Sequence, residues 1–415
     1  MGLNRSGCIT GSYSTGVVVG MDDVGGFAGR SDPNDPGSIA GCFWDMETSG
    51  LSGRAGGPGR TTAQMQDRAT FLASGWDFVD ETLNGTCDYW QMAPGSYPEL
   101  RFQDGTSPIM SEGLGTADKP YLIRDARDLG TVWFEPLAHY RLDTSVDLSG
   151  VVWSMAVVPW FGGVLDGDGH AISSLCIRGN GHLGLFGELG SAAVISHLGL
   201  EAVDVDGTGD YVGGLAGYCR GPVAMCYSVG TIRGGRYVGG LAGLADYASY
   251  YDDAIAASYS AGTISGDFSV GGLVGINRRT VTRCYSTCVV SGRDSVGGLV
   301  GQAGAAVSES YSSGSVAGDM NVGGLVGQGP YSPQARKPQG ITSFWDTQTS
   351  GQSTSARGTG KTTSELQSAA TFLDAGWDFV DEAENGADDI WRIDEGNDYP
   401  RLWWEAQISP FSIDD

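Results

Sequence analysis

Lysine is almost absent from this chain: Lys119, Lys337 and Lys361 are the only three among 415 residues. With 24 basic against 49 acidic side chains, the formal charge is −25. Such a surface repels phosphate backbones, so a nucleic-acid partner is excluded. Histidine is scarce too. His139, His170, His182 and His197 never form His-Glu-X-X-His, so the zinc-peptidase signature is absent. No apolar run reaches the roughly 18–20 residues of a membrane span. The first residues, Met-Gly-Leu-Asn-Arg-Ser-Gly-Cys, lack the apolar core of a secretory leader. Eight cysteines follow no metal-binding spacing, and Cys284 and Cys288 stand close together without a second pair.

Glycine is what the chain has instead. Its 68 glycines are about one residue in six, well above the usual roughly 7 %, but with no Gly-X-Y period to make collagen. They fall in a phrase, Val-Gly-Gly-Leu/Phe-Ala/Val-Gly, that begins at Val24, Val212, Val238, Val270, Val296 and Val322. The last five copies are 26, 32, 26 and 26 residues apart. A Tyr-Ser phrase keeps the same beat at Tyr227, Tyr259, Tyr285 and Tyr311, with an earlier copy at Tyr13. A fixed period in this range marks a solenoid, in which each unit buries its apolar face against its neighbours. Short β-branched runs between glycine bends, with no helical period, predict an all-β, right-handed parallel β-helix; an antiparallel propeller needs about 40 residues per blade. Stacked rungs lie about 4.8 Å apart. Val212, Val238, Val270, Val296 and Val322 then form one inward ladder, and Leu215, Leu241, Leu273, Leu299 and Leu325 another. Glycine is expected to supply positive φ and close backbone approach at the corners. The longer unit carries an insertion around residues 246–253.

Two segments are copies of each other. Phe43-Trp44-Asp45, Thr61-Thr62, Gly75-Trp76-Asp77-Phe78-Val79-Asp80-Glu81, Asn84-Gly85 and Trp90 recur 301 residues later. The chain therefore divides into the tail of one array (1–41), a Trp-rich module (42–105), a second array (106–330), a second Trp-rich module (331–405) and a short tail (406–415). Because Tyr13 to Gly29 already reads as a repeat phrase, the chain is expected to be a segment of a longer protein. Capping boxes at Thr61 and Thr362 open helices of about ten residues that stop at Gly75 and Gly376. The tryptophans are expected to wedge these helices over the open end of the array, because solenoids need end caps. Asp125 to Leu129 reads as a helical turn.

The repeated Gly-Leu-X-Gly at 214–217, 240–243, 272–275, 298–301 and 324–327 resembles the GLUG motif. The resemblance implies a parallel β-helix of a bacterial surface or secreted protein, of the kind found beside immunoglobulin A peptidase domains. It implies an extracellular or cell-surface setting and little about activity.

Four groups of side chains carry the candidate chemistry. Outward-turned Tyr227, Tyr259, Tyr285 and Tyr311 would make an aromatic stripe for a glycan or a surface protein. Cys226, Ser258, Cys284 and Ser310 would then point inward. Asp204, Asp206 and Asp210 space three carboxylates in a loop that suits Ca²⁺ but lacks the final Glu of an EF-hand, and Asp267, Asp294 and Asp319 recur near the end of each unit. Cys42 and Cys87 are replaced together in the second module, by Ser343 and Asp388, which a disulfide in an oxidising compartment would explain. Asp166, Asp168 and His170 read as a tight bend rather than an acid/base set. No catalytic pair can be assembled. The sequence thus favours a non-enzymatic extracellular module for adhesion, matrix or ligand display. A polysaccharide lyase or glycoside hydrolase on the same scaffold is the runner-up, and a filament subunit stacking head to tail through residues 1–30 is the third reading.

Overall fold

A computed structural model of the chain describes residues 3–4, 9–22, 24–31, 39–52, 57–85, 88–101, 112–246, 255–329, 342–383 and 385–406. Residues 121–246 and 255–328 wind into a parallel β-helix in which each strand pairs with the strand one turn on. One sheet runs from Tyr121–Ile123 through Val164–Asp166 and Val223–Ala224 to Val307–Ser308. A second starts at Val146–Asp147, takes in the Tyr-Ser strands and ends at Phe344–Asp346 and Thr359–Lys361. A third runs from Val158–Phe161 to Val326–Gln328. A shorter row, Arg236–Gly239, Phe268–Gly271, Asp294–Gly297 and Met320–Gly323, makes a further edge. Register is strict: Val238, Val270, Val296 and Val322 pair in succession, as do Tyr227, Tyr259, Tyr285 and Tyr311.

The coil's core is the pair of aliphatic ladders read from the sequence. Val212, Val238, Val270 and Val296 are fully buried, and Val322 at the end is partly so. Leu215, Leu241, Leu273, Leu299 and Leu325 are at most 1 % exposed. Each such side chain contributes about 1.5–3 kcal/mol of burial free energy, so stability accrues rung by rung. Cys226, Ser258, Cys284 and Ser310 are buried as expected, and each sends its Sγ or Oγ to the carbonyl two residues back, those of Ala224, Ala256, Thr282 and Ser308.

Of the two roles expected of the glycines, those of the repeat phrase fill one, the close approach of backbones. None in the Val-Gly-Gly-Leu-X-Gly phrases of residues 212–327 has positive φ. The left-handed corners are taken by Tyr211, Tyr237, Ser269, Ser295 and Asn321, one residue before each valine, and by Met225, Ala257, Arg283 and Glu309. What the glycines provide is the absence of a Cβ. At Gly271 it would lie 2.0 Å from the Val274 carbonyl oxygen, and at Gly297 2.0 Å from that of Val300. At Gly272 it would meet both the Gly298 carbonyl and Ser286 Oγ at 2.1 Å. Backbone cannot yield there without breaking the ladder.

The modules are built alike, with two departures from the sequence reading. The single ten-residue helix is two short ones, Thr62–Met65 and Arg68–Leu72, repeated as Thr363–Leu366 and Ala369–Leu373. The break falls where Asp67 caps the second helix through the Ala69 amide; in the other copy Glu395 takes the Ala369 amide. Gly75 and Gly376 do close the helices at φ +84°. Each Phe-Trp-Asp strand adds a rung: Phe43–Asp45 pairs with Tyr13–Ser14, and Phe344–Asp346 with Tyr311–Ser312. Trp345, rather than a helix, therefore closes the end of the core, and the second module's helices lie along the coil's flank. The fully buried Asp of each strand is the hub. Asp346 accepts from the Gln348 and Thr349 amides and from the Thr363 and Tyr399 hydroxyls, as Asp45 does from Glu47, Thr48, Thr62 and Tyr97.

Gly297→Ala should lower stability by about 1–3 kcal/mol through overpacking. Gly16→Ala, where a Cβ has nothing within 4 Å, should leave the melting curve unchanged. Thermal unfolding followed by circular dichroism separates the two, and equal curves would refute the close-approach account.

Candidate functional site

The tyrosine row does turn outward, and its rings stack at 5.0, 4.8 and 5.1 Å with planes within 6°. Its outer side, however, is covered by the second module. Tyr285 and Tyr311 are 0 % exposed, Tyr227 is buried, and only Tyr259 keeps partial access. Trp391 packs against the row, Trp404 donates to the Ala257 carbonyl, Tyr285 donates to Glu405, and Tyr311 donates to the Pro400 carbonyl. Burial accordingly holds the Tyr285 and Tyr311 phenols well above their ordinary range. The exposed stripe expected from the sequence is thus an interior seam. Its apolar rings needed a cover, and the Trp-rich module supplies it.

The other candidates are also placed. Asp204 and Asp206 lie in the strand Gly199–Gly207, not in a loop. Asp204 accepts from Arg178 and lies 3.8 Å from Arg233. Among the described residues, no three His, Cys, Asp or Glu side chains come together as metal ligands, so Asp204, Asp206 and Asp210 are not gathered around one point. Asp294 accepts from Asn321 and Ser295. Asp166 accepts from the Asp168 amide in the tight bend, with Asp168 at φ +50°, and sits 3.0 Å from His197 Nδ1. Cys42 occupies the inward small-residue position, its thiol directed at the Ile9 and Ala40 carbonyls. Cys87, and with it the expected Cys42–Cys87 bridge, lies outside the described residues.

A cluster that the sequence reading missed lies along the third sheet. His182, Tyr211 and Tyr237 occupy the corner immediately before the inward aliphatic of three successive rungs, and all three are half-buried. His182 meets Tyr211 edge-on at 4.8 Å and stacks on Tyr218 at 5.8 Å; Tyr211 and Tyr237 lie 4.9 Å apart. Beside them run Glu188 and Tyr218, paired in register on adjacent strands, and then Arg220, Asp246 and Arg278 one position past the strand ends of successive rungs. Arg220 lies over the Tyr218 ring at 5.0 Å and 3.4 Å from Glu188, whose side chain is 5 % exposed. Arg278 is 3.4 Å from Asp246, which also accepts from the Tyr218 hydroxyl. Burial, then the bond to Asp246, raises the Tyr218 phenol to about 12. Burial, then the Arg220 charge, lowers His182 from its usual value. The result is a half-open aromatic wall edged by two guanidinium groups, each held by a carboxylate. Aromatic faces of this kind pack on the C–H face of a sugar ring, while fixed guanidinium and carboxylate groups bond hydroxyls. The residues are about 26–32 apart in sequence, so only alignment of the repeats on the valine of each glycine phrase brings them into one column.

With this geometry in hand, known proteins place the chain by fold. No family model matches it. A stretch of 192 residues, 40 % of the chain, is 33 % identical to halomucin of Haloquadratum walsbyi. A stretch of 81 residues, 19 % of the chain, is 38 % identical to an inferred Gly-rich membrane protein of Evansella cellulosilytica. The chain spans only 2 % and 9 % of the length of these two relatives. The crystal structure of an inferred immunoglobulin A1 protease from Bacteroides ovatus superimposes with a TM-score of 0.52 at 19 % identity, over 71 % of this chain and 95 % of that one. That likeness defines the class, a parallel β-solenoid, and nothing of its chemistry. No helix among the described residues is long and apolar enough to cross a membrane.

His182 provides a test of the wall. Its folded pKa lies below the unfolded value of about 6.5. The unfolded chain therefore binds more protons between the two values, so this histidine's contribution is complete above about pH 6.5 and declines as pH falls through that window. An NMR titration of the imidazole should show the lowered value, and Arg220→Ala should raise it. A value at or above that of an unperturbed histidine would disprove the packing described.

Proposed function

We propose that the chain is a non-enzymatic extracellular or cell-surface module: a rigid rod that displays the His182–Tyr211–Tyr218–Tyr237 wall to a neutral glycan. The observation that carries this reading is the wall itself, where half-exposed rings converge beside Arg220 and Arg278. Both guanidinium groups are already neutralised by Glu188 and Asp246, which favours an uncharged ligand over an anionic one. Ion-paired carboxylates are also poorly placed to shuttle a proton, which weighs against a glycoside hydrolase. The net charge of −25 and the likeness to halomucin fit a surface setting.

A glycan array with the intact chain should show binding to neutral oligosaccharides and no release of reducing ends. Tyr211→Ala and Tyr237→Ala should each weaken binding about two- to thirteenfold, the effect of losing an aromatic contact of about 0.5–1.5 kcal/mol. Unchanged binding in both variants removes the wall as the site. Release of reducing ends would replace this reading with a carbohydrate-active enzyme.

A further inference from the structure

The chain contains one module in two settings, and the comparison exposes an empty seat. The first module is docked on the opening coil of the second array. Asn84 accepts from the Ser154 amide at 2.8 Å and from its hydroxyl at 3.0 Å, and the Asn84 amide donates to the Val152 carbonyl at 2.9 Å. Ser154 also donates to the Leu72 carbonyl. Leu83 forms a parallel bridge with Val152, and Gly75 lies so close to Met155 that a Cβ would fall 2.0 Å from its Sδ. Gly75 and Asn84 are buried by this contact.

The second module holds its asparagine side chain in the same way. Asn385 Nδ2 donates to the Leu373 and Trp377 carbonyls, as Asn84 Nδ2 does to those of Leu72 and Trp76. Asp378 accepts from the amide of Asp388, the residue that replaces Cys87, whereas Asp77 accepts from that of Asp88 one position further on. Yet Gly376, at the same φ of +84°, is exposed with nothing within 4 Å of a Cβ, and Gly386 beside Asn385 is exposed too. The Asn385 side chain is held through its Nδ2 as that of Asn84 is, which leaves its carbonyl oxygen as the acceptor that meets Ser154 in the first copy. The copies differ at the rim: Ile390 stands where Tyr89 bonds the Gly130 carbonyl, and Glu384 where Leu83 makes its main-chain bridge. The Asn385 main-chain N–H, whose counterpart bonds Val152, here bonds the Glu382 carboxylate and must be released on docking, whereas the contacts of the asparagine carbonyl and of Gly376 depend on none of these differences.

We propose that the face of the second module formed by Leu373, Gly376, Asn385 and Gly386 is a seat for the opening coil of another β-helix array, of the type that residues 130–157 form here. The module is then a two-sided coupler. One side closes the array before it, and the other orients the array that follows. In this chain's own opening coil the partner groups are covered by the first module, so the occupant is a further array and not residues 130–157 of a second copy.

The test is a tandem protein in which the complete chain through residue 405 is followed by a repeat of residues 102–415. Hydrogen exchange of residues 373–386 at the new junction should slow at least tenfold relative to the single chain, approaching residues 72–85 in the same molecule. Gly376→Asn keeps a residue that tolerates the left-handed conformation but fills the space a methionine must occupy. It should leave the single chain's exchange unchanged and abolish the slowing in the tandem. Exchange at the new junction that stays fast while residues 72–85 remain protected would overturn the proposal. So would protection that survives Gly376→Asn, which would place the contact elsewhere.

Discussion

Everything in this molecule depends on how closely two turns of backbone can approach at the glycine corner. The Val274 carbonyl oxygen occupies the place where a side chain on Gly271 would begin, and the same contact recurs between Gly297 and Val300. That approach lets the third sheet and its neighbouring row share one tight bend, which aims the valine and leucine of each phrase into the core. The Ser286 hydroxyl fills the remaining space over Gly272. The Tyr-Ser and Val-Gly-Gly phrases keep the same beat because each is the steric complement of the other. A change in one would require a change in its partner a turn away.

The corner residues follow from the same geometry. Left-handed backbone is usually left to glycine or asparagine, yet here tyrosine, serine, arginine and glutamate accept it at repeated positions. The cost is of order 1–3 kcal/mol at each such site, and it is offset by ladder bonds on both sides. Because these corners hold large side chains, they can carry recognition. His182, Tyr211 and Tyr237 make an aromatic column where Ser269 and Ser295 leave the next rungs bare. On the proposed reading, recognition is set by which residue fills a corner, while the fold is set by the glycines beside it.

Much of the architecture could be read from the chain. The period, the inward ladders and the duplicated modules all appear as sequence spacing, because a solenoid turns contacts one rung apart into a regular offset. The placement of the second module could not be read that way. Tyr285 is outward with respect to its own rung, and only the fold of residues 342–406 brings Trp391, Arg401 and Glu405 over it. The aromatic wall was hidden for a different reason. Glu188, Tyr218 and Asp246 lie on three different rungs, so no local window contains two of them. The three aspartates at 204–210 misled in the opposite sense. Proximity in sequence resembled a cation loop, whereas alternation along a strand places Asp204 and Asp206, and the guanidinium of Arg178 pairs with Asp204.

The seam of stacked tyrosines also acts as a ruler. The second module reaches back from the Phe344 rung across Tyr311, Tyr285 and Tyr259 to Tyr227, and Trp404 packs near the far end of that span. One rung further back the column holds Gly199, over which the Tyr227 ring already lies. Loss of a single unit would slide the tip of the module past the last ring onto bare backbone and Glu201. Gain of a unit on the far side would leave these contacts unchanged. Arrays closed in this way are therefore free to lengthen over evolutionary time but are held to a minimum of four tyrosine-bearing turns.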